Sequence, residues 1–188
     1  MVLTYLMDIP AIQTDPTNDC DGAVVRDPLP TQGSLDFRVI ELLFFAYREF
    51  TGDADEILIR YGFGRAHHRV LHFVNRDPGL TIAELLDILQ ITKQSLSRVL
   101  RQLLDEGFIC QIPGDEDRRQ RRLYPTQKGR ALAVELSEAQ VRRIEAALAK
   151  TSDEDMRPIA AFLKAMASDR ESAREWFERK DISWKDPE

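Results

Sequence analysis

Residues 80–129, LTIAELLDILQITKQSLSRVLRQLLDEGFICQIPGDEDRRQRRLYPTQKG, decide the fold: two short helices, a basic hairpin and the start of a third helix follow one another in that order. Thr81 and Glu84 stand three apart at the head of the first helix, where a hydroxyl and a carboxylate can each satisfy an orphan backbone N–H. Ile82, Leu85, Leu86 and Leu89 then recur at helical spacing. After Gln90 and Ile91, Thr92 offers a second N-cap, Leu96, Val99, Leu100, Leu103 and Leu104 form another apolar stripe, and Gly107 closes it. Strand-like Phe108–Pro113, the turn-forming Gly114-Asp115-Glu116-Asp117 and a returning Arg121–Pro125 make the hairpin. This is the layout of a winged helix-turn-helix.

Opposite its leucines the second helix carries Gln94, Ser97, Arg98 and Arg101, an outward face of hydrogen-bond donors with little negative charge. Such side chains match base-edge acceptors of a major groove, while Thr92, Lys93 and Ser95 at the helix start can reach phosphates. A solvated amphipathic helix has the same pattern, so the hairpin tips the balance. Arg118, Arg119, Arg121 and Arg122 sit at or beside its tip. Arginines on a narrow β-tip can enter a minor groove and sense its width.

These elements resemble the DNA-binding domain of the MarR family of bacterial transcription regulators. The resemblance rests on Asp117-Arg118-Arg119 in the wing, on Thr126-Gln127-Lys128-Gly129 at the next helix start, and on Leu103-Leu104-Asp105-Glu106-Gly107-Phe108-Ile109 before the wing. It extends more loosely from Leu35 to Lys164, and the run from Gly64 to Phe73 is similar to a PetP-like subgroup. It implies that Arg118 and Arg119 clamp the minor groove while Asp117 orients them. Gln111 replaces a residue that is basic in many members, and Arg122 and Pro125 replace apolar ones, so the returning strand is expected to be short or frayed.

The net charge of −6 over 188 residues argues against a general nucleic-acid binder, but its placement matters more than its sum. From Arg118 to Arg130 there are six basic residues and no acid, whereas the first 36 residues hold six aspartates and one arginine. That acidic, Pro- and Asp-rich N-terminal portion reads as a tail without a secretory signal, and no stretch is apolar enough for a membrane helix. A cytoplasmic protein with no membrane partner is expected. Cys20 and Cys110, far apart and outside any CxxC motif, read as reduced thiols.

Leu35 to Arg60 predicts a long helix on Val39, Leu42, Leu43, Ala46, Phe50 and Ile57, interrupted near Thr51-Gly52-Asp53. Arg65 to Asn75 predicts a second, ended by Asp77-Pro78-Gly79. Lys128 to Lys150, with Leu132, Leu136, Val141, Ile144 and Leu148, and Ser152 to Lys180, with Ile159, Phe162, Leu163 and Met166 as its buried edge, predict two more. The expected fold is mainly α with a small β wing: a tail over 1–34, a dimerisation helix region over 35–63, the winged helix-turn-helix over 64–127, C-terminal dimerisation helices over 128–180 and a tail over 181–188. In the resembled family the outer helices pair with a second subunit, and a twofold dimer sets two reading helices one helical turn of DNA apart. A homodimer on a double-stranded pseudopalindromic operator is therefore expected.

His67, His68 and His72 fall on one predicted helix, and His68 and His72 share a face. That spacing can hold a metal or haem, but Arg69 and Val70 occupy the places where a zinc protease motif needs its glutamate, and no cofactor is expected. A packed, hydrogen-bonded role is the plainer reading of the histidines. The family resemblance implies a third, a cleft for a small organic effector, in which Arg65, His67, His68, Arg69 and His72 are candidates to meet a carboxylate. The sequence contains no Gly-rich nucleotide loop and no nucleophile with paired His and acid, so no enzymatic activity is expected. A winged-helix module that contacts only protein is the alternative function.

Overall fold

A computed structural model describes residues 37–114, 120–151, 156–167 and 170–180. Ile40–Glu188 forms one compact unit; of the other, Met1–Val39, only Phe37–Val39 are described. The expected tails, Cys20 and the wing residues Asp117, Arg118 and Arg119 lie outside the described residues. The described elements run α1 (Phe37–Ile59), α2 (Arg65–Arg76), β1 (Leu80–Thr81), α3 (Ile82–Leu89), α4 (Lys93–Asp105), β2 (Ile109–Pro113), β3 (Arg121–Pro125), α5 (Gln127–Leu148), α6 (Met156–Ala167) and α7 (Glu171–Arg179).

Local chemistry sets the helix ends. At α3 the Thr81 Oγ1 accepts from the Glu84 N–H at 3.2 Å and the Glu84 carboxylate accepts from the Thr81 N–H at 2.7 Å, a reciprocal capping box. Thr92 caps α4 by accepting from the Ser95 N–H at 3.2 Å. Gly107, with φ +72°, ends α4: its N–H reaches the Leu104 carbonyl and the next N–H, of Phe108, reaches Leu103 at 2.8 Å. This paired closure gives the Leu103 and Leu104 carbonyls donors that the helix itself no longer supplies.

The sheet has the order β1-β3-β2, antiparallel throughout, with Ile109 opposite Pro125 and Pro113 opposite Arg121. The expected short or frayed second strand is not found. β3 is five residues long and central: Leu123 is buried, Leu80 and Thr81 pair with Leu123 and Arg122, and the Arg122 Nη1 donates to the Gly79 carbonyl at 3.0 Å. Arg122 thus makes a backbone contact that an apolar residue could not supply. The two-residue β1 was not expected; it is too short to carry a period of its own.

Two further expectations are corrected. The helix α1 runs unbroken through Thr51-Gly52-Asp53 because Thr51, Ala54 and Leu58 are buried and Asp53 pairs with Arg143 of α5. That packing outweighs the roughly 1 kcal/mol a mid-helix glycine costs. The single helix expected over Ser152–Lys180 is two among the described residues, α6 and α7, with Arg170 extended (φ −94°, ψ 135°) at the start of α7. α7 buries Trp176 against Phe73 with ring centroids 4.9 Å apart, and Arg179 and Lys180 pair with Asp77. Ile159, Phe162, Leu163 and Met166 of α6, expected to be buried, are exposed within the single chain.

The core joins Leu58, Val70, Leu71, Val74, Leu85, Leu96, Leu103, Phe108, Leu123 and Leu136. Phe108 meets Tyr61 and Phe63 edge to face. The backbone behind it seats α5: the Thr126 N–H donates to the Phe108 carbonyl, the Thr126 hydroxyl to that of Gly107 at 2.7 Å, and Lys128 lies over the Phe108 ring. A Cβ on Gly129 would sit 1.9 Å from the Phe108 carbonyl oxygen, so no other residue lets α5 approach. Gly129→Ala is expected to cost about 3 kcal/mol, the upper end of ordinary overpacking, read as a lowered urea midpoint.

Candidate nucleic-acid interface

One face of α4 is sealed and the other open. Leu96, Val99, Leu100 and Leu103 are buried; Thr92, Lys93, Gln94, Ser97, Arg98 and Arg101 are exposed, and Ser95 is half-buried. Lys93, Arg98 and Arg101 make no ion pair among the described residues, so their charge is available to an outside anion. The Thr92 hydroxyl donates to the Ser95 hydroxyl at 2.9 Å, which orders the helix start while the backbone N–H groups of its first turn point outward. Beyond α4 the hairpin narrows to Gly114, whose N–H donates to the Gln120 carbonyl at 2.9 Å. Arg121 is exposed beside that tip, whereas Arg122 is half-buried, with its guanidinium on the Gly79 carbonyl.

A second feature lies between α1, α2 and α5. A cavity of about 460 Å³ is bounded by Tyr47, Phe50 and Thr51 of α1, by Arg65, His68, Arg69, His72 and Phe73 of α2, and by Gln140 of α5. Four of the five candidate effector residues come together there. His67 does not: its Nδ1 accepts from the Gly64 N–H at 3.1 Å, its Nε2 lies 2.9 Å from the Gln102 Oε1, and its ring stacks on Phe63. That side chain joins the start of α2 to α4. Sequence reasoning missed the α1 and α5 walls, since Tyr47, Phe50 and Gln140 are remote along the chain.

The charges of the cavity are unequal. Arg65 is held by Asp55 at 2.8 Å, which raises the affinity of the guanidinium for its proton. Burial lowers the proton affinity of His68, against a weaker opposing pull from Asp55. Burial also lowers that of His72, with His68 and Arg76 adding to the effect. Both imidazoles therefore favour the neutral form near pH 7. Among the described residues no group of three or more His, Cys, Asp or Glu could hold a metal ion, and no helix is long and apolar enough to cross a membrane.

The sequence and the fold are similar to those of known proteins. A family model described as MarR family matches residues 61–120. The chain is 49% identical over 127 residues to the HTH-type transcriptional regulator PetP of Rhodobacter capsulatus, an alignment covering 68% of this chain and 76% of the relative. Among solved structures it is similar to a MarR protein of Peptoclostridium difficile, with a TM-score of 0.64 and 20% identity over 81% of this chain and 99% of that one. A MarR transcriptional regulator of Methanosarcina mazei gives a TM-score of 0.59 and 24% identity over 70% and 88%. The two structural likenesses bear on the fold.

The histidines set a stability window. A His whose folded proton affinity is lowered favours folding above its ordinary value of 6.5, and that advantage disappears as pH falls through the lowered folded value. The Tm is expected to fall between pH 7.5 and 5.5, by about 2–4 °C per kcal/mol lost, and to fall less in the double variant His68→Gln, His72→Gln. Scanning calorimetry across that range checks it; equal slopes for the two proteins would contradict it.

Proposed function

This chain belongs to the MarR family of DNA-binding transcription regulators, and from that premise we propose that it works as a homodimer reading a pseudopalindromic operator with α4 of each protomer. The observation that carries the reading is the split of α4 into a buried leucine face and an exposed face of unpaired donors and cations. Gln94, Ser97, Arg98 and Arg101 are assigned to base edges, with arginine suited to the paired acceptors of guanine. Thr92, Lys93 and Ser95 are assigned to phosphates at the helix start. Arg118 and Arg119, outside the described residues, are assigned to the minor groove on the sequence argument, with Asp117 orienting them and the exposed Arg121 added as a phosphate contact.

The dimer is supported by apolar surface that the single chain leaves open. On α1, Leu42 is 68% and Phe44 71% exposed, and Phe45 and Tyr47 are exposed beside them. On α6, Ile159, Phe162, Leu163 and Met166 form a second uncovered stripe. Contiguous apolar surface of this kind marks an interaction site, and a second copy presents the same two helices. A twofold pair also supplies the two reading heads that one operator needs.

The α1–α2–α5 cavity is assigned to a small organic anion. Tyr47, Phe50 and Phe73 offer apolar walls, and Arg65 and Arg69 offer cationic donors. Such a ligand shifts DNA affinity only by the free energy with which it prefers one arrangement of the reading heads.

Arg98→Ala is expected to weaken operator binding by about 1–3 kcal/mol and to relax base preference, whereas Lys93→Ala lowers the salt slope of log K by about 1 at unchanged preference. Fluorescence anisotropy over a salt series separates the two, with Arg174→Ala as the variant expected to change neither. Phe44→Asp is expected to turn the dimer into a monomer in light scattering; an unchanged dimer would remove α1 from the interface.

A further inference from the structure

The cavity and the reading head share one guanidinium. Arg69 lines the cavity, yet its Nη2 donates at 2.8 Å to the carbonyl of Leu89, the last residue of α3. That carbonyl ends a helix and has no following helical N–H to accept from, so a cation there meets both an orphan acceptor and the negative end of the helix dipole. Just beyond it lies Gln90, the one non-glycine among the described residues with positive φ, at +51°, and two residues later Thr92 caps the reading helix. The turn that aims α4 is therefore strained and is fastened from the cavity side by a single charge-assisted bond. The start of α7 fastens the same end of α3, through Arg170 to the Gln90 side chain at 3.1 Å and Ser172 to the Asp87 carbonyl at 3.3 Å.

An anion entering the cavity finds Arg69 the least committed cation. Arg65 already pairs with Asp55, His68 and His72 are held toward neutrality, and Arg69 makes no ion pair among the described residues. A carboxylate gripped by two parallel N–H groups engages the guanidinium side-on through Nε and Nη2 or end-on through Nη1 and Nη2. Each mode uses one of the two N–H bonds of Nη2, and the Leu89 carbonyl already takes one of them, so a carboxylate that takes that N–H competes with the carbonyl.

We infer that Arg69 is the positioning residue that couples the cavity to DNA reading: a bound organic anion draws its guanidinium from the Leu89 carbonyl, releases the turn at Gln90 and thereby weakens the hold of α4 on the operator. The inference rests on the anion reading of the cavity proposed above. Reciprocity requires that operator DNA weaken anion binding by the same factor.

The test uses the full-length protein, an operator duplex recovered by binding selection, and sodium benzoate as the probe. Three quantities are read for wild type, Arg69→Met and Arg69→Lys: benzoate affinity by calorimetry, operator affinity with and without saturating benzoate, and amide hydrogen exchange at Gln90–Lys93 without ligand. In wild type, benzoate is expected to weaken operator binding about tenfold, a mid-range coupling. Arg69→Met is expected to exchange faster at Gln90–Lys93, to bind the operator more weakly with no ligand present, and to lose the benzoate response; Arg69→Lys, which keeps the charge but not the fork, is expected to keep part of the protection and little of the response. Wild-type exchange and operator affinity in Arg69→Met overturn the inference whatever the cavity binds. Benzoate binding that leaves wild-type operator affinity unchanged overturns the coupling and spares the cavity reading. No benzoate binding to wild type overturns the anion reading and the competition built on it, while the ligand-free exchange result independently decides the tie between Arg69 and Leu89.

Discussion

The helix α4, the wing strands and α5 are all set out from one short piece of backbone, Gly107–Phe108. Gly107 takes the left-handed conformation that ends α4, and Phe108 begins the turn into the wing. The carbonyls of these two residues accept from Thr126, which brings the far strand of the wing back to the foot of α5. Gly129 lets α5 rest on the Phe108 carbonyl, and the ring of Phe108 faces Tyr61 and Phe63 just after α1. The helix α4, the wing strands, α5 and the aromatic residues just after α1 consequently meet at a single junction. The Thr126-Gln127-Lys128-Gly129 motif, read as a family mark in the sequence, is the chemistry of that junction.

What was legible in the chain was what is decided locally. The caps at Thr81 and Thr92 depend on groups three residues apart, and the closure at Gly107 needs only one residue able to hold positive φ. The wing could be read because its two strands and the turn residues between them are contiguous. The continuity of α1 across Gly52 could not, since it depends on Asp53 meeting Arg143, 90 residues away. Nor could the full length of β3, because Arg122 looks misplaced on a strand until the Gly79 carbonyl is seen to accept from it. The break before α7 was hidden for a similar reason: Trp176 is buried by Phe73, a contact that helical periodicity does not announce.

The candidate site divides along the same line. Arg65, His68, Arg69 and His72 share a helix and a side, so one stretch of sequence brings them to the cavity. The remaining walls, Tyr47, Phe50 and Thr51 of α1 and Gln140 of α5, are remote from that stretch along the chain. His67 sits among the same residues along the chain, but the Gly64 N–H and Gln102 claim its two nitrogens and carry it to the contact between α2 and α4. Charge follows a comparable economy. The chain is acidic overall, yet the exposed side of α4 offers cations with no carboxylate among the described residues to pair them, so a local basic footprint stands on a negatively charged protein.

With α4 fixed at Phe108 and apolar surface left open on α1 and α6 for a second copy, the protein proposed is a twofold dimer with two such helices on one operator. Hydroxyl-radical footprinting of the full-length protein on its selected operator tests for that dimer. Two protected patches of similar strength, related by a twofold axis and centred one helical turn or about 34–36 Å apart, are predicted. A single patch the width of one half-site, or protection that does not depend on sequence, would contradict it.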